Sequence, residues 1–248
     1  MYAQSSASDR EVGRLLERQM RNWELAHAQP TGGRVAAGDQ AVESFVSLSR
    51  MAGLPGEEVA AAIHEKTGWP VFDKEVLTEM AGSDDLRRRV FEALDERDVR
   101  WIDEFFRSLT QSRFISREAY FHRLSKTVVA LARKGPVIFL GRATDLILPR
   151  DVGLRVRLTA APSYCVERYA EAHQLSHEAA AREVSQIEQE RDRFVRHHFN
   201  HGGNESTRHD LIINCARFET GQVVDIVMTA LRAKNLLENS ARAGAAKP

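Results

Sequence analysis

The stretch of sequence that decides the fold is Val46–Gly56, which reads VSLSRMAGLPG. It begins as an apolar strand, turns at two glycines and leads directly into the helical run Glu57–Glu65. This layout is typical of a phosphate-binding loop, where backbone N–H groups and the positive end of a helix face an anion. A Walker-type loop would carry a lysine after its last glycine, whereas two glutamates follow here. The sequence therefore predicts a phosphate cradle with altered chemistry.

The composition is that of an ordinary globular protein. Of 248 residues, 43% are apolar and 28% are charged, and the net charge is zero, so neither nucleic acid nor an anionic membrane is indicated as a partner. Two cysteines, Cys165 and Cys215, are too few for a disulfide framework and indicate a reducing, cytoplasmic location. There is no apolar run of the ~20 residues that a membrane helix needs, and no apolar signal region.

Short apolar runs alternate with helical patterns along the chain. The predicted strands are Ser44–Leu48, Val71-Phe72, Val137–Leu140, Leu154–Leu158 and Leu211–Ile213. The predicted helices are Glu57–Lys66, Lys74–Ala81, a block over Asp84–Leu109 and Ser116–Arg133, Ser163–Ala172, Ser176–Phe199 and a last helix around Val223–Leu231. Five short strands separated by helices predict an α/β fold with a parallel sheet covered by helices on both faces.

The first 40 residues are predicted to be an appendage to this domain. Ser8 and Glu11 form a capping-box pattern, and an apolar stripe at helical spacing continues to Trp23, before a flexible linker. Such a helix packs either on its own domain or on a second copy of the chain, which would make a homo-oligomer. The domain itself is predicted over residues 41–235, and residues 236–248 form a flexible tail.

The candidate functional positions all follow strands. Arg50–Gly56 comes after the first strand, Asp73 after the second, and Gly141-Arg142 after the third. Ligands of parallel α/β sheets bind beyond the carboxyl ends of the strands. The coincidence of three such positions therefore predicts one site at that edge of the sheet.

These motifs, in this order, resemble those of the cytidylate-kinase-like family of P-loop proteins, over about residues 43–232. The resemblance is carried by Ser49-Arg50 with Gly53 and Gly56, Trp69–Glu75, Val137–Arg142 with Asp145, Ile187–Arg191 and Asp210–Asn214. It implies a three-layer nucleoside monophosphate kinase fold with a five-stranded parallel sheet, a helical monophosphate-binding insertion at residues 84–133 and an arginine-bearing lid at residues 187–209. The implied reaction transfers the γ-phosphoryl group of ATP to CMP or dCMP, with Mg²⁺.

The resemblance also implies roles for individual residues. Arg191 and Arg142 would be catalytic. The donor phosphates would be bound by Arg50, Gly53, Gly56, Arg193 and Arg196, and the acceptor by Asp73, Lys74, Arg142 and Asp145. Arginine suits this chemistry because its fork pairs with two phosphate oxygens and stays charged.

Each of these residues also has an interpretation without a ligand. The glycine turn can simply connect a strand to a helix, and Arg142 can be a surface residue at the end of a buried strand. Asp73 is placed to cap the following helix. The lid arginines Arg193 and Arg196 can form a solvated helix face.

Departures from the family pattern keep a second function open. Pro55 lacks an N–H group, so one potential phosphate donor is missing, and Glu57 and Glu58 bring negative charge to the helix start. The alternative is therefore a catalytically impaired nucleotide-binding sensor or scaffold with the same fold. A third hypothesis is a kinase for another small acceptor.

The histidines near position 200 do not predict a metal site. His197 and His201 are spaced to share a helix face, but the sequence shows no cysteine or acidic ligand at a convincing distance from them. No protein-bound metal is predicted there.

Overall fold

In the computed structural model, residues 42–111, 118–199 and 205–237 are described. The predicted appendage over residues 1–40 lies outside these ranges, as do Ser116, His201 and nearly all of the predicted tail. The predicted domain limits therefore stay predictions. Within the described ranges, no helix has the length and apolar character needed to cross a membrane.

A single five-stranded sheet forms the centre of the described structure. Its strands are β1 (Phe45–Arg50), β2 (Val71–Phe72), β3 (Val137–Leu140), β4 (Leu154–Thr159) and β5 (Leu211–Asn214). The spatial order is β2-β3-β1-β4-β5, and every neighbouring pair is parallel, as predicted. All carboxyl ends therefore lie at the same edge, with β1 in the middle.

Helices connect the strands. They are α1 (Gly56–Thr67), α2 (Lys74–Gly82), α3 (Asp84–Glu92), α4 (Glu96–Gln111), α5 (Ala119–Lys134), α6 (Thr144–Ile147), α7 (Pro162–His173), α8 (His177–His198), α9 (Glu205–Arg208) and α10 (Thr220–Ala233). The predicted block Asp84–Leu109 is divided into α3 and α4, because the side chain of Asp95 accepts the amide of Asp98 and starts a new helix. As predicted, this block contains no strand within its described part.

Helices cover both faces of the sheet, which gives the fold its three layers. Along β1, Phe45 joins the core formed with α2, α4 and α5, whereas Val46 and Leu48 join the core formed with α1 and α10. This alternation follows from the period of two along a strand. The predicted alternation of β4 is also observed, since Leu154, Val156 and Leu158 lie in the α1–α10 core.

Arg155 is the largest side chain that the core buries, with 1% of its surface exposed. Its guanidinium lies over the ring of Phe45 and donates to backbone carbonyls that include those of Asp145 and Leu148. A buried charge is tolerated when its hydrogen-bonding capacity is met. Arg155 thereby fixes the segment after α6 against the sheet.

Candidate functional site

The loop after β1 is shaped by two glycines that serve packing. Gly53 has φ +81°, and a Cβ on it would collide with the backbone carbonyl of Cys165 in α7. A Cβ on Gly56 would collide with the side chain of Arg50. Both glycines are therefore required by the packing of the loop itself, and their contact with phosphates stays a prediction.

Most of the described loop amides already have acceptors. The amide of Leu54 donates to the carbonyl of Met51 at 3.3 Å, and that of Gly56 donates to the carbonyl of Leu54 at 2.8 Å. Pro55 has no N–H to offer. The amide of Ala52 points out of the loop instead, and donates to Oε1 of Glu188 at 2.8 Å.

Glu188 reaches the loop because α8 packs directly on it. Ala52 lies in an apolar cluster with Val166 of α7 and Ala180 and Val184 of α8. Glu188 lies one helical turn after Val184 on the same face of α8, so the packed turn places its carboxylate beside the loop.

Arginines surround this carboxylate. Nη1 of Arg191 donates to Glu188 Oε1 at 2.7 Å and to the backbone carbonyl of Arg50 at 2.7 Å. Nη2 of Arg157 lies 3.9 Å from Glu188 Oε2. Burial lowers the pKa of Arg191, and the carboxylate of Glu188 opposes this effect. One amide and two guanidinium groups thus converge on one carboxylate at the carboxyl edge of the sheet, an arrangement that we call the anion cradle.

The side chain of Arg50 reaches both the start of α1 and the end of β3. It forms an ion pair with Glu57 at the start of α1. Its Nη1 lies 3.8 Å from where a Cβ on Gly141 would stand, so the guanidinium reaches the end of β3. Arg50 therefore links the loop after β1 to the turn that carries Arg142.

Arg142 lies in a strained turn. Gly141, Arg142 and Ala143 have consecutive positive φ values of 85°, 54° and 51°. Positive φ is uncommon for residues other than glycine, and such strain is concentrated at functional sites. Nη2 of Arg142 donates to Thr78 Oγ1 at 2.7 Å, and the guanidinium lies 5.2 Å from the ring centroid of Phe194. Its Nε is buried and has no hydrogen-bond partner among the described residues.

Asp73 caps a helix, as its position predicted. Its Oδ1 accepts the amide of Val76 at 2.8 Å. Burial raises the pKa of Asp73, and the negative charges of Glu75 and Glu57 add to this effect against the hydrogen bond from Val76. Asp73 directly follows β2, so it lies at the carboxyl edge of the sheet. The neighbouring Lys74 is exposed at the start of α2.

Asp145 is buried and forms an ion pair with Arg208. Its carboxylate forms a bidentate ion pair with Arg208, with Oδ1 2.9 Å from Nη2, and lies 3.9 Å from Nε2 of His209. Nε2 of His209 lies 3.1 Å from Ser49 Oγ. Asp145 therefore fastens the segment before β5 to the end of β1, and its predicted contact with the acceptor stays a prediction.

Arg193 and Arg196 are not brought to the anion cradle. Both are exposed on α8, where Arg193 donates to the carbonyl of Gln189 at 3.3 Å and Arg196 pairs with Asp192 at 3.1 Å. These local contacts agree with the alternative interpretation, in which Arg193 and Arg196 belong to a solvent-exposed face of the helix. Their predicted binding of donor phosphates stays a prediction.

Sequence reasoning missed Arg157 and the position of Glu188. The sequence offered a reason to select Arg157 as a site residue, because it is a charged residue near the carboxyl end of a predicted strand. Nothing in the sequence indicated the location of Glu188, since its contact with Ala52 joins residues 136 apart in sequence.

The family model of the cytidylate kinase-like family matches residues 45–217. No curated protein matches the chain.

Solved structures resemble the described fold to different degrees. A protein from Eubacterium ventriosum is similar at a TM-score of 0.53 and 14% identity, over 77% of this chain and 99% of that one. A shikimate kinase from Bacteroides thetaiotaomicron reaches a TM-score of 0.41 at 14% identity, over 76% and 98%. A gluconokinase from Sinorhizobium meliloti reaches 0.36 at 16%, over 82% and 94%. The last two TM-scores are too low to support a conclusion about fold or function.

Proposed function

Because the chain belongs to the cytidylate kinase-like family, we propose that it transfers the γ-phosphoryl group of ATP to a nucleoside monophosphate, CMP or dCMP. Phosphoryl transfer needs little covalent help from a protein, since catalysis is mostly positioning and charge stabilisation. The groups required are backbone amides and guanidinium groups around the phosphates.

The observation that carries the proposal is the anion cradle around Glu188. Its carboxylate is held by the amide of Ala52 and by Arg191, with Arg157 at 3.9 Å. Carboxylates and phosphates are recognised by the same donors. A nucleotide phosphate would therefore take the place of the carboxylate, and Arg191 would turn from Glu188 to the transferring group.

The acceptor would bind beside Arg142. Its buried Nε has no partner among the described residues, and an unpaired buried donor costs about 1–3 kcal/mol. A phosphate or carbonyl oxygen of the acceptor would satisfy it. The ring of Phe194, already beneath the guanidinium, offers an apolar surface for a base.

Mg²⁺ would enter with ATP, which supplies most of its ligands together with water. The donor chemistry beside the loop fits this ion, because Glu57 lies at the start of α1 and Asp73 directly follows β2, and both offer carboxylate oxygens. These residues would hold Mg²⁺, and the ion would neutralise charge on the phosphates.

The buried thiols of Cys165 and Cys215 support a cytoplasmic location.

The test is a coupled assay of the full chain with ATP, Mg²⁺ and each nucleoside monophosphate, beside calorimetry of nucleotide binding. We expect turnover with CMP and dCMP that exceeds turnover with AMP, GMP and UMP. Absence of turnover with all of them would refute the proposal.

A second candidate is a nucleotide-binding sensor or scaffold with impaired catalysis. It is favoured by the loop amides of Leu54 and Gly56, which donate within the loop, and by the pairing of Arg50 with Glu57. Binding of ATP in calorimetry without turnover would support it. Turnover with a different phosphorylated product, found in a screen of small hydroxylated and phosphorylated metabolites, would instead indicate a kinase for another acceptor.

A further inference from the structure

Three side chains of residue types that can bind metals lie close together, and none of them belongs to the anion cradle. Glu118 directly precedes α5, and His197 and His198 end α8. Oε2 of Glu118 lies 3.1 Å from Nε2 of His197 and 3.7 Å from Nδ1 of His198, and all three ligand atoms lie within 4.8 Å of one another. The residues come from positions 79 apart in sequence, so only the fold creates this cluster.

The ring of His198 is held rigidly in this position. Only 6% of the residue is exposed. Its ring stacks on Phe121, with the centroids 4.2 Å apart, and meets Phe194 edge-on at 4.6 Å. These contacts fix the direction in which Nδ1 points, toward the carboxylate of Glu118.

Nδ1 of His198 has no hydrogen-bond partner among the described residues, although it is buried. The 3.7 Å to Glu118 is too long for a hydrogen bond. A buried polar atom without a partner destabilises the fold, and a bound ion is one of the explanations for such an atom. A cation between Nδ1 and the carboxylate would give Nδ1 a partner, and the negative charge of Glu118 would attract it.

We propose that Glu118, His197 and His198 bind a transition-metal dication such as Zn²⁺. Two ligands each about 2.1 Å from a tetrahedral centre stand about 3.4 Å apart. The two distances to Glu118, 3.1 and 3.7 Å, lie on either side of that value. The side chain of His197 is 69% exposed, so it can turn to close the remaining gap to His198.

The ligand atoms of the proposed site, two imidazole nitrogens and one carboxylate oxygen, favour some metals over others. Imidazole nitrogens suit Zn²⁺, Co²⁺ and Ni²⁺, whereas Mg²⁺ and Ca²⁺ take oxygen ligands. Three protein ligands leave a fourth position for water.

The site would join the two parts of the fold that flank the acceptor position. α8 carries Glu188 and Arg191, and α5 belongs to the helical insertion. A metal held by both would restrain the end of α8 against α5. The metal site stands independently of the proposed reaction, because none of its ligands belongs to the anion cradle.

The test uses the full chain, stripped with a chelator and titrated with Zn²⁺ alone by calorimetry. We expect stoichiometric binding, visible absorption bands of tetrahedral Co²⁺ when that ion replaces Zn²⁺, and a rise in Tm on addition of metal. Glu118→Gln keeps the size of the side chain and removes its charge, and should weaken binding at least tenfold. His198→Phe keeps a stacking ring and removes the ligand, and should abolish the Co²⁺ bands.

The matched control is His177→Ala, which removes an exposed histidine at the opposite end of α8 and should leave affinity unchanged. The thermal transition of each variant reports whether it folds. If His198→Phe does not fold, Glu118→Gln decides, because the Glu118 side chain makes no capping hydrogen bond to α5. Failure of the wild-type chain to bind Zn²⁺, or equal affinity in wild type and Glu118→Gln, would overturn the proposal.

Discussion

The Oε1 atom of Glu188 accepts the amide hydrogen of Ala52 at 2.8 Å, so a carboxylate of the chain lies where the loop presents its outward N–H group. Arg191 holds the same oxygen at 2.7 Å. An anion that binds this amide must displace the carboxylate. Binding of nucleotide and release of Glu188 are therefore coupled in the proposed function.

Replacing Glu188 by glutamine should strengthen nucleotide binding. The amide side chain can still accept from Ala52, but it no longer competes as an anion for Arg191. We expect the Kd of ATP, measured by calorimetry, to fall about three- to tenfold, a change of about 0.7–1.4 kcal/mol. Glu190→Gln is the control, because Glu190 is exposed and contacts Gln186 on the surface of α8. A weaker affinity in Glu188→Gln would contradict this account.

Arg191→Ala should lower turnover much more than it weakens nucleotide binding. An arginine that contacts the transferring group acts mainly in the transition state, so we expect kcat to fall at least about 100-fold. Steady-state kinetics and calorimetry measure the two effects separately. Arg168→Ala should change neither by more than about twofold, because Arg168 is exposed and pairs with Glu171 on the surface of α7. Equal losses of turnover and affinity in Arg191→Ala would count against the catalytic role.

Gly53→Ala should destabilise the fold. The substitution combines a strained positive φ with a collision against the carbonyl of Cys165, and we expect a loss of about 2–4 kcal/mol in the free energy of unfolding. Gly68→Ala separates the two causes, since Gly68 has φ +72° but open space around it. It should cost only about 1 kcal/mol. Chemical denaturation measures both, and equal losses would show that the contact with Cys165 contributes nothing.

Asp73→Asn should give a stability difference that depends on pH. Because burial raises the pKa of Asp73, the stability that this group contributes is fully present below its unfolded pKa and is lost as pH rises through the native pKa. Asparagine caps helices as well as aspartate and does not titrate. The Tm of Asp73→Asn relative to wild type should therefore be higher at pH 7 than at pH 3.5. A difference in Tm that is the same at both pH values would refute this.

Both cysteines should resist thiol reagents in the folded protein. Burial raises the pKa of Cys165, and it raises the pKa of Cys215 to about 11, so little thiolate forms at pH 8. We expect no reaction with a disulfide reagent in buffer on the time scale of minutes, and two reactive thiols in denaturant. Rapid labelling of either cysteine in the native state would contradict the burial observed here.

Local patterns were sufficient to predict much of the fold. The apolar run Val137–Leu140 predicted β3 with its observed bounds, and the position of Asp73 before a helical pattern predicted the cap that it forms. The capping of α4 by Asp95 was missed, because the helical pattern runs on through that point. Such features depend on neighbours within a few residues, which the sequence displays directly.

The candidate site was predictable only in part. Arg50, Arg142 and Arg191 were placed at one edge of the sheet by the rule that carboxyl ends of parallel strands meet there and by family resemblance. The roles of Gly53 and Gly56 in packing against Cys165 and Arg50 were not predictable, because they depend on contacts between elements. The same holds for the pairing of Asp145 with Arg208.

The sequence by itself determined the alternation of strands and helices, the parallel sheet and the edge where the arginines gather, since these follow from periodicity and chain order. Only the tertiary structure decided which charges meet. Glu188 lies against Ala52 because Val184, one turn earlier, is buried beside that alanine, and Glu118 lies against His197 because two helix ends converge. Long-range contacts of this kind arise from packing of whole elements, which no local pattern records.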